Sequence, residues 1–88
     1  MDFDWDDAKD AANLKKHGLS FDAASRVFGD PWSIDEEDFG AVGEQRFKRI
    51  GMVADRLAVV IYTFRGEAIR IISARKAERH EKRQYHKA

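Results

Sequence analysis

The 88-residue chain has no cysteine, one proline and no apolar run of membrane-spanning length. Without cysteine it can form neither disulfide bonds nor thiolate zinc sites, which agrees with a reducing cytoplasm. Residues 1–7 are strongly acidic, the opposite of the basic start of a signal peptide, so we expect a cytoplasmic protein without a membrane partner. Three scattered histidines, His17, His80 and His86, show no spacing typical of a metal site. We therefore expect no metal and no cofactor.

Length and charge limit the possible architectures and ligands. A chain of 88 residues is expected to form one domain, residues 1–88, with one modest core. Its net charge is zero, but residues 1–45 hold 12 acidic and 4 basic side chains, whereas residues 46–88 hold 4 acidic and 12 basic ones. Such asymmetry points to an anionic ligand on the basic half. The acidic half could equally fold over the basic half and pair with it, and the sequence leaves both possibilities open.

Helical patterns occupy the first third of the chain. A helix capped by Asp4 or Asp6 is predicted to run to about His17. Four of its apolar residues are expected to face the core: Ala8, Ala11, Ala12 and Leu14. Ser20 is a good N-cap for a second helix, Phe21–Phe28, which carries an apolar stripe.

From Trp32 onward the pattern becomes extended. The predicted extended segments are Phe3–Trp5, Trp32–Ile34, Arg46–Val53, Leu57–Phe64 and Ile69–Ala74. The acidic run Asp35–Asp38 and the stretch Gly40–Gly43 are predicted to form a loop. A basic helix from Glu78 to about His86 follows the last strand. The sequence thus predicts an α+β domain with two N-terminal helices, an antiparallel sheet of three to four strands and a C-terminal basic helix.

The junction between the last strand and the last helix is well suited to bind a phosphate. Arg70 lies inside an apolar strand, where an unpaired charge would be costly. Five cations follow it and would match phosphate oxygens: Arg75, Lys76, Arg79, Lys82 and Arg83. A solvated helix face would explain this charge run alone, but it would not explain an arginine within the strand.

The chain resembles the BrnT family in a series of motifs that occur in the expected order. These are Phe3–Lys9, Asn13, Lys16–Gly18, Phe21, Ala24, Val27–Asp30, Gly43–Arg46, Gly51, Arg70–Ala77, Glu81 and Tyr85. BrnT proteins are toxins of bacterial type II toxin-antitoxin modules. The resemblance implies a RelE-like fold and a ribonuclease activity that arrests translation and growth. It also implies a partner, a small DNA-binding antitoxin similar to BrnA, which would neutralise the toxin in a hetero-oligomer and contact operator DNA.

Metal-independent RNA cleavage would require a base for the 2′-hydroxyl, an acid for the departing 5′-oxygen, and cations that stabilise the charged phosphorane. Arg46, Arg70 and Arg75 are the candidate cations. Strict alternation along the strand places Arg70 on the face of Ala74 and Arg75 on the other face. Both can therefore reach one phosphate only if the strand ends or twists near Ala74.

His17 is the only histidine within a motif shared with the family, and it is the candidate general base or acid. A histidine directly before Gly18 is also an ordinary cation at a helix C-terminus, worth roughly 0.3 to 1 kcal/mol there. Lys16 has the same two interpretations. Lys9 and Asn13 lie four residues apart on one helix face, where they could point toward the same site or toward solvent.

Glu81 and Tyr85 are also four residues apart, on the last helix. Glu81 is a candidate catalytic residue, and holding Arg70 or Arg75 is the favoured role for its carboxylate. Tyr85 could stack on an RNA base or pack its ring on the sheet. The full set of expected RNA-binding residues is Lys9, Lys16, Lys76, Arg79, Arg83 and Tyr85.

Three classes of function are compatible with these patterns. The first is an endoribonuclease toxin, and the second is a nucleic-acid-binding module without catalysis, which the basic half alone would support. The third is a protein-binding module, because a small sheet domain with an apolar central strand can leave apolar surface uncovered.

Overall fold

A computed structural model describes residues 1–38 and 43–87. Within these ranges the strands are β1 Phe3–Asp4, β2 Ile34–Asp38, β3 Arg46–Val53, β4 Arg56–Arg65 and β5 Ala68–Lys76. The helices are α1 Asp7–His17, α2 Phe21–Ala24 and α3 Arg79–Lys87. The strands form one sheet in the order β1-β5-β4-β3-β2. The predicted α+β class is confirmed, but the described sheet has five strands, not three or four.

The extra strands lie at the two edges of the sheet. β1 pairs with β5 in parallel, so the sheet is not purely antiparallel. β2 pairs antiparallel with β3 and consists largely of the acidic run that was predicted to be a loop, so that prediction was wrong. The acidic side chains are stabilised by cations on β3, since Asp35 lies 2.9 Å from Arg49 and Glu36 lies 3.4 Å from Lys48. Of the predicted Gly40–Gly43 loop, residues 40–42 lie outside the described residues.

The second helix is shorter than predicted. α2 ends at Ala24 and continues as a 3₁₀ turn over Ser25–Gly29. The Ser25 hydroxyl donates to the Asp22 carbonyl at 2.6 Å. Such a bond from a serine side chain to the preceding turn competes with regular helical bonding. This accounts for the tighter turn at this point.

α1 docks through polar side chains, contrary to the prediction. The four residues expected to face the core, Ala8, Ala11, Ala12 and Leu14, are all exposed. The inward face instead carries Asp10, whose carboxylate accepts a 2.8 Å bond from the Phe21 N–H, and the buried Asn13. The Asn13 amide donates to the carbonyls of Leu19 and Ala74 at 2.8 Å and accepts from the Ala74 N–H. Because these bonds need amide and carboxylate groups, apolar periodicity could not identify this face.

The core lies on both faces of the sheet. On the face of α1 and α2, Phe21 and Val27 pack against strand residues that include Val60. Val27 approaches Gly51 so closely that a Cβ there would lie 2.6 Å from the valine side chain, which explains the glycine. On the face of α3, residues such as Val59 form a second cluster. β4 thus contributes to both clusters, as its nearly continuous apolar sequence predicts.

Replacing Asn13 with alanine should destabilise the domain by about 2 to 4 kcal/mol, because it leaves the buried polar groups of Leu19 and Ala74 without partners. The neighbouring variant Leu14→Ala is the control and should cost less than about 1 kcal/mol, since Leu14 is 51% exposed. Urea unfolding of the two variants measures both values. Equal effects would show that the amide does not fix α1 to the sheet.

Candidate functional site

β5 contains a bulge near its middle. Ile61 of β4 pairs with Ser73, but the next β4 residue, Tyr62, pairs with Ile71. Ile72 is therefore an extra residue without a partner across the strand pair. An extra residue shifts the alternation of side chains by one position. Residues on opposite sides of the bulge therefore point to the same face when they are an odd number of positions apart.

The bulge places Arg70 and Arg75 on the same face of the sheet. Arg70 pairs with Thr63 and Arg75 pairs with Val59, and these two β4 residues point in the same direction. Strict alternation predicted opposite faces unless the strand ended or twisted near Ala74. The strand continues past Ala74, and the bulge before it places the two arginines on one face, opposite β4 residues that are four positions apart.

β3 adds two more cations to this face. Its alternation places Arg46 and Lys48 on the side of Ile50, which packs with Val59 beneath α3. We call the surface formed by Arg46, Lys48, Arg70 and Arg75 the cation face. It contains three predicted site residues and Lys48, which was not predicted.

Glu81 of α3 is the fully buried anion of the cation face. Its two carboxylate oxygens accept bonds of 2.7 and 2.8 Å from the Arg75 guanidinium. The Lys48 ammonium lies 2.6 Å from one oxygen, and the Glu78 backbone N–H donates to the other at 2.8 Å. Burial alone would raise the pKa of Glu81, but the bonds from Arg75, Glu78 and Lys48 outweigh it and lower the pKa to about 2. The carboxylate is therefore ionised throughout the neutral range.

The other two arginines of the cation face have acidic neighbours from the first half of the chain. Arg70 lies 2.8 Å from the Asp4 carboxylate on β1. The Nε of Arg46 lies 3.7 Å from Glu44 and, within the described residues, is buried without a hydrogen-bond partner. The acidic half thus does pair with the basic half. Because these acids lie beside the arginines at the sheet surface, an anionic ligand would compete with them for the same donors.

His17 and Lys16, at the end of α1, lie beside Arg75. Together with Lys76 and Glu78 they line a cleft of about 410 Å³. An adjoining groove runs along α1 and past β5, and its lining includes Lys9, Asn13, Lys16, His17 and Ser73. The structure therefore brings together the histidine, two of the three α1 lysines and one site arginine, although these residues come from opposite ends of the sequence.

Three predicted RNA-binding residues of α3 lie outside this cleft and groove. The Tyr85 hydroxyl donates to Asp30 at 2.7 Å, and its ring packs against the cluster beneath α3. Of the two interpretations of Tyr85, the geometry matches packing on the sheet. Arg79 and Arg83 are exposed on α3. They can attract a polyanion at long range, but they do not line the cleft beside His17.

Lys48 was not among the site residues predicted from the sequence. Its signal is its position two residues after Arg46 on a predicted strand, which places both cations on one face. Alternation alone could not show that this face carries Arg70 and Arg75, because the bulge in β5 is not visible in the sequence.

Glu78, His80 and Glu81 have potential metal-binding atoms within 4.8 Å of one another. The carboxylate oxygens of Glu81 already accept bonds from Arg75, Lys48 and a backbone N–H. The cluster is therefore part of the salt-bridge network around Glu81.

A family model described as the ribonuclease toxin BrnT of type II toxin-antitoxin systems matches residues 5–81. None of the curated proteins compared with the chain matches it. Within the described residues, no helix has the length and apolar character needed to cross a membrane.

Glu81 should make the domain sensitive to acid. Below its ordinary pKa of 4.5, unfolded Glu81 takes up a proton, whereas folded Glu81 stays ionised down to about 2. The free energy of unfolding should therefore fall by about 3 kcal/mol on this account as the pH drops from 4.5 to 2. Urea unfolding across this pH range should show a smaller decline for Glu81→Gln than for the wild type. The control Glu67→Gln, in the exposed β4–β5 turn, should keep the wild-type decline, and an equally steep decline in Glu81→Gln would contradict the assignment.

Proposed function

We propose that this chain, which belongs to the BrnT family of ribonuclease toxins, is an endoribonuclease. It cleaves RNA without a metal ion and thereby arrests translation and growth. The observation that carries the proposal is the cation face, where the bulge in β5 places Arg70 and Arg75 on the same side of the sheet and Glu81 holds Arg75. The RelE-like fold implied by the sequence resemblance is part of the same proposal. Because the proposed substrate is cellular RNA, the proposed location of the protein is the cytoplasm.

The proposed reaction is attack of an RNA 2′-hydroxyl on the neighbouring phosphorus atom. The 2′-oxygen loses its proton to a base, the bond from phosphorus to the 5′-oxygen breaks, and that oxygen takes up a proton from an acid. Negative charge grows on the phosphate oxygens during this step. Arg46, Arg70 and Arg75 supply positive charge on the surface where that phosphate would lie.

Arg75 is the best positioned of these cations. A guanidinium has five N–H groups, and within the described residues Arg75 uses Nη1 and Nη2 for Glu81 and Nη1 for the Lys76 carbonyl. Its side chain remains 36% exposed, so donors are available to a ligand. The two bonds to Glu81 fix the plane of the guanidinium before RNA binds, which reduces the reorganisation needed in the transition state. In this proposal Glu81 positions Arg75 and does not itself touch RNA, because its side chain is fully buried.

His17 is the proposed proton carrier. It lines the same cleft as Arg75, and histidine is the side chain that most readily both accepts and donates protons near neutral pH. Lys16 and Lys76 line this cleft, and Lys9 lines the adjoining groove, where these lysines would hold the flanking phosphates of the strand. Arg79 and Arg83 would attract RNA at longer range.

The proposed partner is a BrnA-like antitoxin, a small DNA-binding protein that covers the cation face with an acidic or amphipathic segment. Carboxylates already pair with Arg70 and Lys48 in this domain, so carboxylates of a partner would be accepted by the same donors. Exposed apolar side chains, among them Trp32 at 73% and Phe64 at 58%, offer further surface for burial. The hetero-oligomer would contact operator DNA through the antitoxin.

Incubation of the purified chain with RNA in the presence of EDTA tests the proposed function. Cleavage is expected. Binding without cleavage would favour the nucleic-acid-binding alternative, and neither binding nor cleavage would favour the protein-binding alternative.

Arg70→Ala and Arg75→Ala should each abolish growth arrest, with cleavage by the folded variant slowed about 100-fold or more, as for loss of one donor to a transition-state oxyanion. Arg75→Ala should also lower the melting temperature, because it removes one partner of the buried Glu81 carboxylate. Arg26→Ala is the matched control, because the Arg26 side chain is 66% exposed in an ion pair with Asp22, and the control should stay toxic. Cleavage rates and thermal melts of the three variants provide the measurement. Full toxicity of both site variants would place the reaction elsewhere.

Substitutions at His17 separate proton transfer from helix capping. His17→Ala should slow cleavage strongly if His17 moves protons. His17→Lys keeps a cation at the end of α1, but lysine is a poor proton carrier at neutral pH. Both variants should therefore cleave slowly in single-turnover assays. Retained activity in His17→Lys would show that the residue acts only as a helix-terminal cation.

A further inference from the structure

Lys48 occupies a central position on the cation face. It lies in β3, with Glu36 of β2 on one side and Ile61 of β4 on the other. Its side chain is 18% exposed, and its ammonium lies 2.6 Å from Glu81 and 3.4 Å from Glu36. Glu81 is fully buried, whereas Glu36 is 49% exposed. The Lys48 ammonium therefore contacts one carboxylate in the protein interior, Glu81, and a second carboxylate at the surface, Glu36.

Lys48 and Arg75 share one oxygen atom of Glu81. The ammonium of Lys48 and Nη2 of Arg75 lie 2.6 and 2.8 Å from Oε2, so the two nitrogens can be no further apart than the sum of these distances. Phosphate oxygens accept bonds of the same length from cations. Two cations that share one carboxylate oxygen are thus close enough to share one phosphate group. Only Glu81 is a buried partner of these cations; Glu36 lies 3.4 Å from Lys48 and Glu78 lies 3.8 Å from Arg75, and both of these carboxylates are exposed, so a phosphate could replace them.

We infer that Lys48 is a further substrate-contacting residue, which together with Arg75 holds the phosphate at which RNA is cleaved, and that Glu81 sets the spacing between them. This inference rests on the proposed ribonuclease function and adds a residue to it. The bond to Glu81 fixes the position of the Lys48 ammonium. When RNA binds, the phosphate replaces Glu36, whose contact with Lys48 is longer. The exposed Glu36 is then a competitor of the RNA for Lys48.

The role of Lys48 is to stabilise charge and not to carry a proton. Burial would lower the pKa of Lys48, but its hydrogen bonds and charge attraction to Glu81 and Glu36 outweigh burial and raise the pKa. Lys48 therefore keeps its proton at neutral pH. A permanently charged ammonium beside the phosphate favours the transition state, in which the phosphate charge grows.

The test compares Lys48→Gln and Lys48→Arg in cleavage of a short RNA. Glutamine can still donate a hydrogen bond to Glu81 but lacks the charge, whereas arginine restores the charge. Lys48→Gln should reduce kcat about 100-fold with a smaller effect on KM, and Lys48→Arg should recover most of the lost rate. Lys15→Gln removes an exposed lysine of α1 and is the matched control for loss of one positive charge. If Lys48 only satisfies Glu81, folded Lys48→Gln will cleave within about twofold of the wild type, which overturns the inference.

Glu36→Gln provides a second test that does not alter Lys48. Removing the competitor should lower KM for the RNA and leave kcat unchanged. An unchanged or raised KM would overturn the inference, even if Lys48→Gln failed to fold.

RNA cleavage by the wild type and by Arg75→Ala is measured in parallel. These two measurements show whether the proposed function fails or only the role of Lys48. If the wild type cleaves no RNA, the proposed function fails, and the inference fails with it. If the wild type cleaves, Arg75→Ala does not and folded Lys48→Gln is fully active, only the role of Lys48 is wrong.

Discussion

The structure depends on the buried carboxylate of Glu81. It accepts a bond from the Glu78 N–H at the start of α3 and binds Arg75 of β5 and Lys48 of β3. A buried charge is tolerated only when it is well paired, and loss of one partner of a buried ion pair typically costs about 3 to 5 kcal/mol. The bonds that fix α3 to the sheet therefore also fix the two cations, and in the proposed mechanism stability and phosphate binding depend on the same contacts.

Much of the fold could be predicted because its elements follow local patterns. The β3–β4–β5 meander and the caps of α1 and α2 by Asp6 and Ser20 follow from alternation and capping chemistry. The edge strand β2 could not be predicted, because its acidic residues are stabilised by cations on β3 that are distant in sequence. The inward face of α1 was missed for a similar reason, since Asn13 forms bonds across 61 residues of sequence.

The candidate site was predictable in its residue types but not in its geometry. The arginine within an apolar strand identified Arg70, and helical spacing placed Glu81 on the last helix. The bulge at Ile72, which places Arg70 and Arg75 on one face, arises from the pairing of two strands and leaves no clear local signal. Lys48 was overlooked because its importance comes from Glu81, which lies on a different element.

A double-mutant cycle between Glu81 and Lys48, measured on kcat, tests most directly whether one carboxylate organises the cations. The cycle consists of Glu81→Gln, Lys48→Gln and the double variant, each shown to be folded by thermal melting. If Glu81 acts by positioning Lys48 and Arg75, the second substitution should add little, and the double variant should be within about threefold of the slower single variant. Fully multiplicative losses would show that the two residues act independently, and this result would contradict a site organised by Glu81.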